Sequence, residues 1–473
     1  MSPDRPLRYA RSHRRRFVAE LKDFIRFPTV SAQARHNPDL KRCAQWLAAH
    51  LRKIGLKTTR VFGADHPIVY AASQHESHRP TVLIYGHYDV QPPEPLHEWH
   101  APPFEPVVRE NYIFGRGACD DKGQMFAHVK ALESYLQTQR KLPANVKCLF
   151  EGEEEIGSPE LKRFLLRNRI TLSADVAVMS DMPIPGPDRP AITYALRGGL
   201  SLELEVTGPQ RDLHSGLFGG AVHNPLQALC EIVASFHDSS GRVAIPGFYD
   251  RVRQWDPQER DYMRRAGPSD NRILRDAEDD QAWGEHGFTL YERTTLRPAL
   301  TINGLSGGYQ GPGGKGVIPA RALAKLSFRL VPDQHPLDID GLLRRHVARV
   351  CPPTVHAKVR TLSRSNSALV DRSHPALRAA FLAYRKGFGQ APRFLRCGGT
   401  IPIVNTIQEA LGIPTVLMGF ALPDDHIHAP NERFYLPNFF NGIATSIWFL
   451  SAVGAMRRRS AKSSVEKRII HDY

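Results

Sequence analysis

Paired cysteines and long apolar stretches are both missing from this sequence. No Cys-x-x-Cys pair occurs, so neither a disulfide framework nor a zinc knuckle is expected. The longest apolar runs are far shorter than the roughly 20 residues that span a bilayer. The segment after the N-terminal arginines is amphipathic rather than continuously apolar like a secretory signal. We therefore expect a protein of the reducing cytoplasm with no membrane anchor. The six cysteines are scattered along the chain: Cys43, Cys119, Cys148, Cys230, Cys351 and Cys397.

The sequence also lacks internal repeats, and its only biased segments are two basic tails. A formal net charge of +15 raises nucleic acid or a membrane surface as a partner. Residues 1–16 hold six arginines against one acid, and residues 457–473 hold six basic residues against two acids, so nine of the excess charges lie in these tails. We interpret the tails as solvated, weakly ordered arms. A nucleic-acid or membrane partner is not expected, because basic tails account for none of the acidic motifs described below.

The pattern of apolar residues predicts an α/β fold. Short β-rich runs such as Thr81 to Tyr85 and Val146 to Glu151 alternate with helical segments such as Gly123 to Leu136. Such alternation is typical of an α/β layer with a mostly parallel sheet. The predicted main domain therefore carries a parallel sheet covered by helices.

A second domain is predicted within the first, since 473 residues exceed the usual length of one domain. After Gly199 the apolar and polar residues alternate, as in a half-solvated antiparallel strand. We predict a main domain in two parts, 1–197 and 366–473, and an inserted, smaller α+β domain at 198–365. Within the insert, residues 245–297 are strongly charged and weakly periodic, so we expect them on the surface rather than in a core.

Acidic and histidine-containing segments follow the ends of the predicted strands. Because the carboxyl ends of strands in an open α/β sheet meet at one crevice, these side chains should converge. In His87-Tyr88-Asp89 the imidazole can bind a metal while the nearby carboxylate takes the other ring proton. Three adjacent glutamates, residues 153–155, would repel one another unless a cation offset their charge. The segments are Tyr85–Asp89, Gly115–Gly123, Glu151–Ser158, Ser180–Asp181 and Asp424–Glu432.

Each segment alone has an ordinary structural explanation. A single His-x-Asp is more often a surface or core pair, and a run of glutamates is usually a solvated face. Five such segments in order at successive strand ends are hard to obtain by chance. We therefore predict a site for two divalent cations, and two histidines with several carboxylates suit Zn²⁺ best, with Mn²⁺ or Co²⁺ as tolerable substitutes.

Taken together, the ordered motifs resemble the M20 metallopeptidases, and within them the carnosinase-like cytosolic dipeptidases, from about Ile25 to Leu450. The resemblance implies a di-zinc peptidase catalytic domain and a ferredoxin-like lid or dimerisation domain. It also implies a cis peptide between Asp120 and Asp121 and an orienting role for Asp89 beside His87. The implied roles are His87 and Asp181 on one metal, Glu155 and His428 on the other, Asp120 bridging both, and Glu154 as the general base.

The resemblance implies hydrolysis of dipeptides or short peptides by a metal-activated water, with two divalent cations per subunit. The alternative within the same family is an N-acyl amino acid amidohydrolase, which would use the same metals and differ in the acyl pocket. Two features favour the dipeptidase over the amidohydrolase. One is an aspartate, Asp181, rather than a glutamate as a metal ligand, and the other is the long segment 245–297.

The inserted domain resembles the family in a second set of residues. His214 matches a histidine that reaches the active site of the partner subunit, which implies a homodimer joined through the inserted domain. Arg329 matches the arginine that binds the substrate carboxylate. Cys397 stands where related dipeptidases carry an acid. Residues Gly398, Gly399 and Thr400 match the family loop whose backbone amides help to hold the same carboxylate.

Overall fold

The structure is a computed structural model that describes residues 1–456, which belong to two compact units. The first unit contains Met1–Tyr194, Val370–Phe394 and the residues from Thr406 onward, and the second contains Ala195–Leu369 and Leu395–Asn405. The predicted C-terminal arm, residues 457–473, lies outside the described residues.

The helices are α1 (Asp4–Ser12), α2 (Arg14–Ile25), α3 (Asn37–Ile54), α4 (Lys122–Gln139), α5 (Leu161–Arg167), α6 (Arg169–Leu172), α7 (Ser215–Phe218), α8 (Pro225–Ala234), α9 (Pro257–Ala266), α10 (Asp270–Asp276), α11 (Leu290–Thr295), α12 (Pro336–Val350), α13 (Pro375–Gly387), α14 (Pro402–Leu411) and α15 (Leu436–Gly454). The strands are β1 (Thr58–Phe62), β2 (Ile68–Ala72), β3 (Thr81–His87), β4 (Val107–Arg109), β5 (Tyr112–Phe114), β6 (Asn145–Glu151), β7 (Val176–Met179), β8 (Ala191–Leu196), β9 (Gly198–Thr207), β10 (Leu213–His214), β11 (Ala299–Gly307), β12 (Val317–Ile318), β13 (Arg321–Leu330), β14 (His356–Ser365), β15 (Ala368–Leu369), β16 (Arg393–Cys397), β17 (Thr415–Met418) and β18 (Arg433–Tyr435). None of the helices found in residues 1–456 has the length and apolarity needed to cross a membrane.

The first unit is built on a sheet with strand order β1-β2-β6-β3-β7-β17-β8. Its four central strands, β6, β3, β7 and β17, are parallel to one another. All seven residues of β3 are buried, as expected for a parallel strand covered on both faces. The register pairs His87 with Glu151, so β3 and β6 end level with each other. The predicted α/β fold with a parallel central sheet is confirmed.

Helix α4 is the central helix of this unit, and it begins directly after the Asp120-Asp121 segment. It is buried from Lys122 to Tyr135, and it packs against α1, α2, α3, α15 and β3. A helix enclosed in this way holds its first turn firmly. The residues that precede α4 are therefore fixed relative to the carboxyl end of β3.

The second unit has the chain order β9-α8-β11-β13-α12-β14 and an antiparallel sheet with strand order β11-β13-β9-β14. This βαββαβ arrangement is the ferredoxin-like fold that the family resemblance implied. Buried and half-buried residues alternate along β9, as the sequence pattern predicted. Leu200, Leu202 and Leu204 of β9 form one core with Leu229 of α8 and Leu343 of α12. The predicted α+β architecture is confirmed.

The arginine-rich N-terminal segment is folded, so its interpretation as a weakly ordered arm is wrong. Helices α1 and α2 cover this segment, and α1 packs against α4 and α15. Ala10 and Phe17 are buried, and the Tyr9 hydroxyl donates a hydrogen bond to Glu133 Oε1 at 3.2 Å. Five of the six arginines are exposed, whereas Arg16 is half-buried and pairs with Glu133.

The charged segment 245–297 contributes buried residues, so its assignment to the surface alone is wrong. It forms α9, α10 and α11, and Met263, Tyr291 and Leu296 make a small core against which Trp255 packs. Many of its charged side chains pair with one another. These pairs separate the few apolar residues along the sequence, which is why no clean helical period is visible there.

Candidate metal centre

Five side chains of the first unit lie together at the carboxyl edge of its sheet. His87 is the last residue of β3, Asp181 lies two residues after β7, and His428 lies in the loop between β17 and β18. Glu155 lies in a short 3₁₀ turn, Glu154–Ile156, that follows β6. Asp120 lies between β5 and α4, and its peptide bond to Asp121 is cis.

Asp120 is shared by two groups of three side chains. His87 Nε2 lies 3.0 Å from Asp120 Oδ1 and 3.9 Å from Asp181 Oδ2. His428 Nε2 lies 2.9 Å from Asp120 Oδ2 and 3.4 Å from Glu155 Oε2. Within each group the candidate ligand atoms lie within 4.8 Å of one another. Each carboxylate oxygen of Asp120 therefore faces a different histidine, which is the arrangement that a carboxylate shared by two cations requires.

Asp89 holds the turn that carries Glu154 and Glu155. Its carboxylate oxygens accept the backbone N–H groups of Glu154 and Glu155 at 3.1 and 3.0 Å. His87 Nδ1 lies 3.1 Å from the backbone oxygen of Asp89 and 3.4 Å from its carboxylate. The sequence predicted only the contact between the Asp89 carboxylate and the imidazole. In the structure the backbone oxygen is the nearer partner of the ring, and the carboxylate mainly positions the glutamates.

The carboxylates of this centre lack the basic partners that buried acids usually have. No lysine or arginine among residues 1–456 forms an ion pair with Asp120, Glu154, Glu155 or Asp181. Burial raises the pKa of Glu154 to about 7, and burial together with the Asp120 charge raises the pKa of Asp181 well above its usual range. A cluster of this kind is deficient in positive charge, and divalent cations would supply it.

Without a bound cation, His87 and His428 are the positively charged partners of these carboxylates. Hydrogen bonds to Asp120 and Glu155 raise the pKa of His428 to about 10. Burial alone would lower the pKa of His87, but hydrogen bonds to Asp120 and Asp89 raise it. Imidazole nitrogens and carboxylate oxygens are the ligands that zinc and its neighbours prefer. The donor set therefore fits two divalent cations.

Comparisons with known proteins identify the family of this chain. A family described as "Peptidase family M20/M25/M40" matches residues 83–450. The chain belongs to this family. The Cys-Gly metallodipeptidase dug1 of Schizosaccharomyces pombe is 31% identical over 445 residues, which cover 90% of this chain and 93% of that protein. The Beta-Ala-His dipeptidase of Homo sapiens is 29% identical over 466 residues, which cover 93% of this chain and 90% of that protein.

The solved structures agree as well. The M20 family metallo-carboxypeptidase Sso-CP2 from Sulfolobus solfataricus matches with a TM-score of 0.83 and 30% identity, covering 93% of this chain and 99% of that chain. Human carnosine dipeptidase 1 matches with a TM-score of 0.80 and 27% identity, covering 96% of this chain and 99% of that chain. The chain is thus a metal-dependent hydrolase of the M20 family, and its resemblance to the carnosinase-like dipeptidases is confirmed.

Glu432 holds the backbone that carries Asp120 in this M20 peptidase, a role that sequence reasoning missed. Its buried carboxylate accepts the N–H groups of Gly117, Cys119 and Asp120 at 2.8, 2.8 and 3.0 Å. Arg116 Nη1 also donates to it at 2.9 Å. The sequence contained one signal, since Glu432 closes the last of the five motifs, but its partners lie more than 300 residues away.

Glu432→Gln should lower the metal affinity by roughly 10- to 100-fold, the usual effect of losing a partner that orients a metal ligand. The amide nitrogen would face an N–H donor where a carboxylate oxygen now accepts one, so the Asp120 backbone would shift. Zinc affinity measured by competition with a chromogenic chelator checks this. Glu110→Gln, on an exposed residue, is the control, and equal affinities in the two variants would contradict the role.

A third group of possible ligands consists of Glu20, His50 and Glu133. The ammonium group of Lys130 occupies the place that a metal ion would take. Lys130 Nζ lies 2.5 Å from Glu20 Oε2, 2.9 Å from His50 Nε2 and 2.8 Å from Glu133 Oε2. Burial and the Lys130 charge lower the pKa of His50 to about 4, so the neutral imidazole accepts the ammonium hydrogen bond. This group is an ion-pair network that joins α2 and α3 to α4.

Lys130→Met should lower the free energy of unfolding by about 3–5 kcal/mol, because it leaves carboxylates in a buried place without their ammonium partner. Lys130 is fully buried, and the Glu133 side chain is 4% exposed, so solvent screens the pair little. Urea denaturation measures the change. Lys53→Met, on an exposed residue of α3, should leave stability within about 0.5 kcal/mol of the parent. A similar small change in the Lys130 variant would show that the network contributes nothing.

The remaining predicted site residues lie in the second unit. Arg329 is exposed, and its Nη1 donates to Thr400 Oγ1 at 2.8 Å. The Gly399 N–H donates to Cys397 Sγ at 3.3 Å. His214 is also exposed, and its Nδ1 accepts the Gly216 N–H at 3.0 Å.

Arg197 is a residue that sequence reasoning missed in this part of the chain. It is 9% exposed, and its Nε donates to Gly398 O at 2.9 Å. Burial and the nearby Arg329 charge lower the pKa of Arg197 to about 10. The second unit therefore brings two guanidinium groups, Arg197 and Arg329, to one Gly-Gly-Thr loop.

Proposed function

We propose that this M20 peptidase hydrolyses the amide bond of dipeptides or similarly short peptides, with two divalent cations bound per chain. His87, Asp120 and Asp181 would hold one cation, and Asp120, Glu155 and His428 the other. The observation that carries the proposal is the Asp120 carboxylate, whose two oxygens face different histidines. Zinc suits this donor set best, with Mn²⁺ or Co²⁺ as tolerable substitutes.

Glu154 is the proposed general base. When bound, the cations would lower the pKa of a water molecule and polarise the scissile carbonyl. The Glu154 carboxylate forms no hydrogen bond or ion pair with the described residues, and Asp89 fixes its backbone at 3.1 Å. Glu154 is therefore free to take a proton from the attacking water and to deliver it to the leaving amine nitrogen.

The second unit supplies the proposed site for the substrate carboxylate, made by Arg329, Gly398, Gly399 and Thr400. Arg329 forms no ion pair with a carboxylate of residues 1–456, and Thr400 takes only one of its donors. A planar guanidinium whose other N–H groups are not bonded within the chain can bind a carboxylate through two parallel hydrogen bonds. A dipeptide ends in such a carboxylate, which supports this assignment.

His214 is proposed to stabilise the oxyanion in the active site of a partner subunit, which makes the enzyme a homodimer joined through the inserted unit. Two features support this. With Nδ1 bonded to Gly216, the Nε2 of the exposed imidazole can act outside its own chain. The edge strand β11 carries exposed Leu305, and Tyr309 just beyond it is also exposed.

Co-expression of two inactive variants tests this proposal. His214→Ala and Glu154→Gln should each be nearly inactive alone. A mixed dimer would regain activity, because one of its sites combines an intact Glu154 with an intact His214 from the partner. A monomeric mass with full activity, or mixed dimers that stay inactive, would refute the assignment.

The reducing cytoplasm is the proposed compartment. All six cysteines are free, and such thiols persist unpaired in a reducing environment.

The substrate class is tested by reconstituting the metal-free enzyme with Zn²⁺, Mn²⁺ or Co²⁺ and assaying a substrate panel. We expect release of free amino acids from dipeptides to be the fastest reaction. Faster hydrolysis of N-acetyl amino acids would favour the amidohydrolase alternative. Faster removal of C-terminal residues from long peptides would favour an activity like that named for the Sulfolobus solfataricus relative.

A further inference from the structure

Tyr291 of α11 supports the backbone of β16 just before the Gly398–Thr400 loop. Its hydroxyl donates to the Arg396 carbonyl oxygen at 2.9 Å and accepts the Arg396 N–H at 2.8 Å. Tyr291 is 6% exposed, so both hydrogen bonds are shielded from water. One phenol thus satisfies both backbone groups of Arg396, as a neighbouring strand would.

The Arg396 side chain is held by the same segment of the chain. It is 3% exposed, its guanidinium carbon lies 3.9 Å from the centre of the Trp255 ring, and its Nη2 donates to Glu259 Oε1 at 2.8 Å. Cation–π and charge-assisted contacts of this kind are strongest where water is excluded. Trp255, Glu259 and Tyr291 all belong to the segment 245–297, so this segment fixes Arg396 by both its backbone and its side chain.

The loop that follows lies directly against the end of α11. A side chain at Gly398 would place its first carbon 2.4 Å from the backbone oxygen of Thr294. Arg197 donates to Gly398 O at 2.9 Å and to Arg297 O at 3.3 Å, and so ties the loop to the residues just after α11. The start of the loop is therefore held between Arg197 and α11.

We propose that the segment 245–297 is the support that sets the position of the substrate-carboxylate site, with Tyr291 as its main positioning residue. This inference rests on the proposed function, in which Arg329 and the Gly398–Thr400 loop bind that carboxylate. Loops hold ligands less accurately than helices and strands do, and a displacement of about 1 Å is enough to weaken a bidentate contact. Contacts from α9 to the side chain of Arg396 and from α11 to its backbone support the loop at the residue next to Cys397.

The test compares dipeptides that end in a free carboxylate with the same dipeptides ending in a carboxamide. Tyr291→Phe removes the hydroxyl and with it both of these hydrogen bonds to the backbone of Arg396. We expect the preference for carboxylate over carboxamide, measured as the ratio of kcat/KM values, to fall by roughly five- to twentyfold. Most of the fall should be a higher KM for the carboxylate substrates.

Tyr249→Phe is the matched control. Tyr249 lies in the same segment, and its hydroxyl accepts the Val243 N–H at 3.1 Å, away from Arg396. This variant should keep the substrate preference of the parent. Glu259→Gln is a second variant that weakens the hold on the Arg396 side chain and should lower the preference even if Tyr291→Phe does not fold.

An unchanged preference in folded Tyr291→Phe, or in Glu259→Gln if the former does not fold, would overturn the inference. An equal fall in Tyr249→Phe would also overturn it, because the effect would then not depend on Arg396. A parent enzyme that cleaves both substrate types equally well would overturn the carboxylate site and this inference with it. Failure to cleave any dipeptide would instead reject the proposed function.

Discussion

Replacing Glu154 by glutamine is expected to leave the metal content unchanged and to lower kcat by about 10²- to 10⁴-fold. The amide has nearly the same shape as the carboxylate, but it can take no proton from the attacking water. Glu154 belongs to neither group of candidate ligands, so its loss should not release the cations. Steady-state kinetics on a dipeptide, together with metal analysis of the same sample, measure both quantities.

Glu153→Gln is the control for that variant. Glu153 adjoins Glu154 in the sequence, but its Oε1 accepts the backbone N–H of Glu160 at 2.8 Å, and the amide oxygen of glutamine can replace it. This variant should retain activity within a few-fold of the parent. Equal turnover in Glu154→Gln and the parent would remove Glu154 from the mechanism.

Asp120→Asn is expected to lose both cations as well as activity. Its carboxylate is common to both sets of candidate ligands, and an amide offers one neutral oxygen in place of two oxygens that share a negative charge. We expect the metal content to fall from about two ions per chain to fewer than one, with at least a hundredfold loss of activity. Inductively coupled plasma mass spectrometry after gel filtration measures the first quantity.

Asp424→Asn is the matched control for the metal content. Asp424 lies in the same acid-rich motif as His428, but its side chain is 65% exposed and pairs with Arg433 at 2.8 Å. This variant should keep both cations. Retention of both cations by Asp120→Asn would show that the two groups do not share a carboxylate.

Local patterns predicted most of the architecture of the first unit. A buried β-branched run that ends in His87 gives a central strand and places the histidine at the sheet edge. The alternation after Gly199 likewise predicted β9. The N-terminal arginines led to the wrong prediction of a weakly ordered arm. The partner of Tyr9 and Arg16 is Glu133, which lies more than 100 residues away in the sequence. No local pattern reports such a contact.

The residues of the candidate site also differ in whether the sequence could predict them. Residues that follow strands, such as His87 and Asp181, could be found from the motifs. The residues that bond to the backbone of other site segments could not be found, since Glu432 bonds to Asp120 and Tyr291 bonds to Arg396, 312 and 105 positions away. Side chains that bond to distant backbone leave no periodicity and no spacing rule in the sequence.

The most direct measurement is an anomalous difference map from crystals of the zinc-reconstituted enzyme, collected at the zinc absorption edge. Two peaks roughly 3.5–4 Å apart are expected, each next to a different carboxylate oxygen of Asp120. A single peak, or a peak between Glu20 and Glu133 with none beside Asp120, would contradict the shared-carboxylate centre.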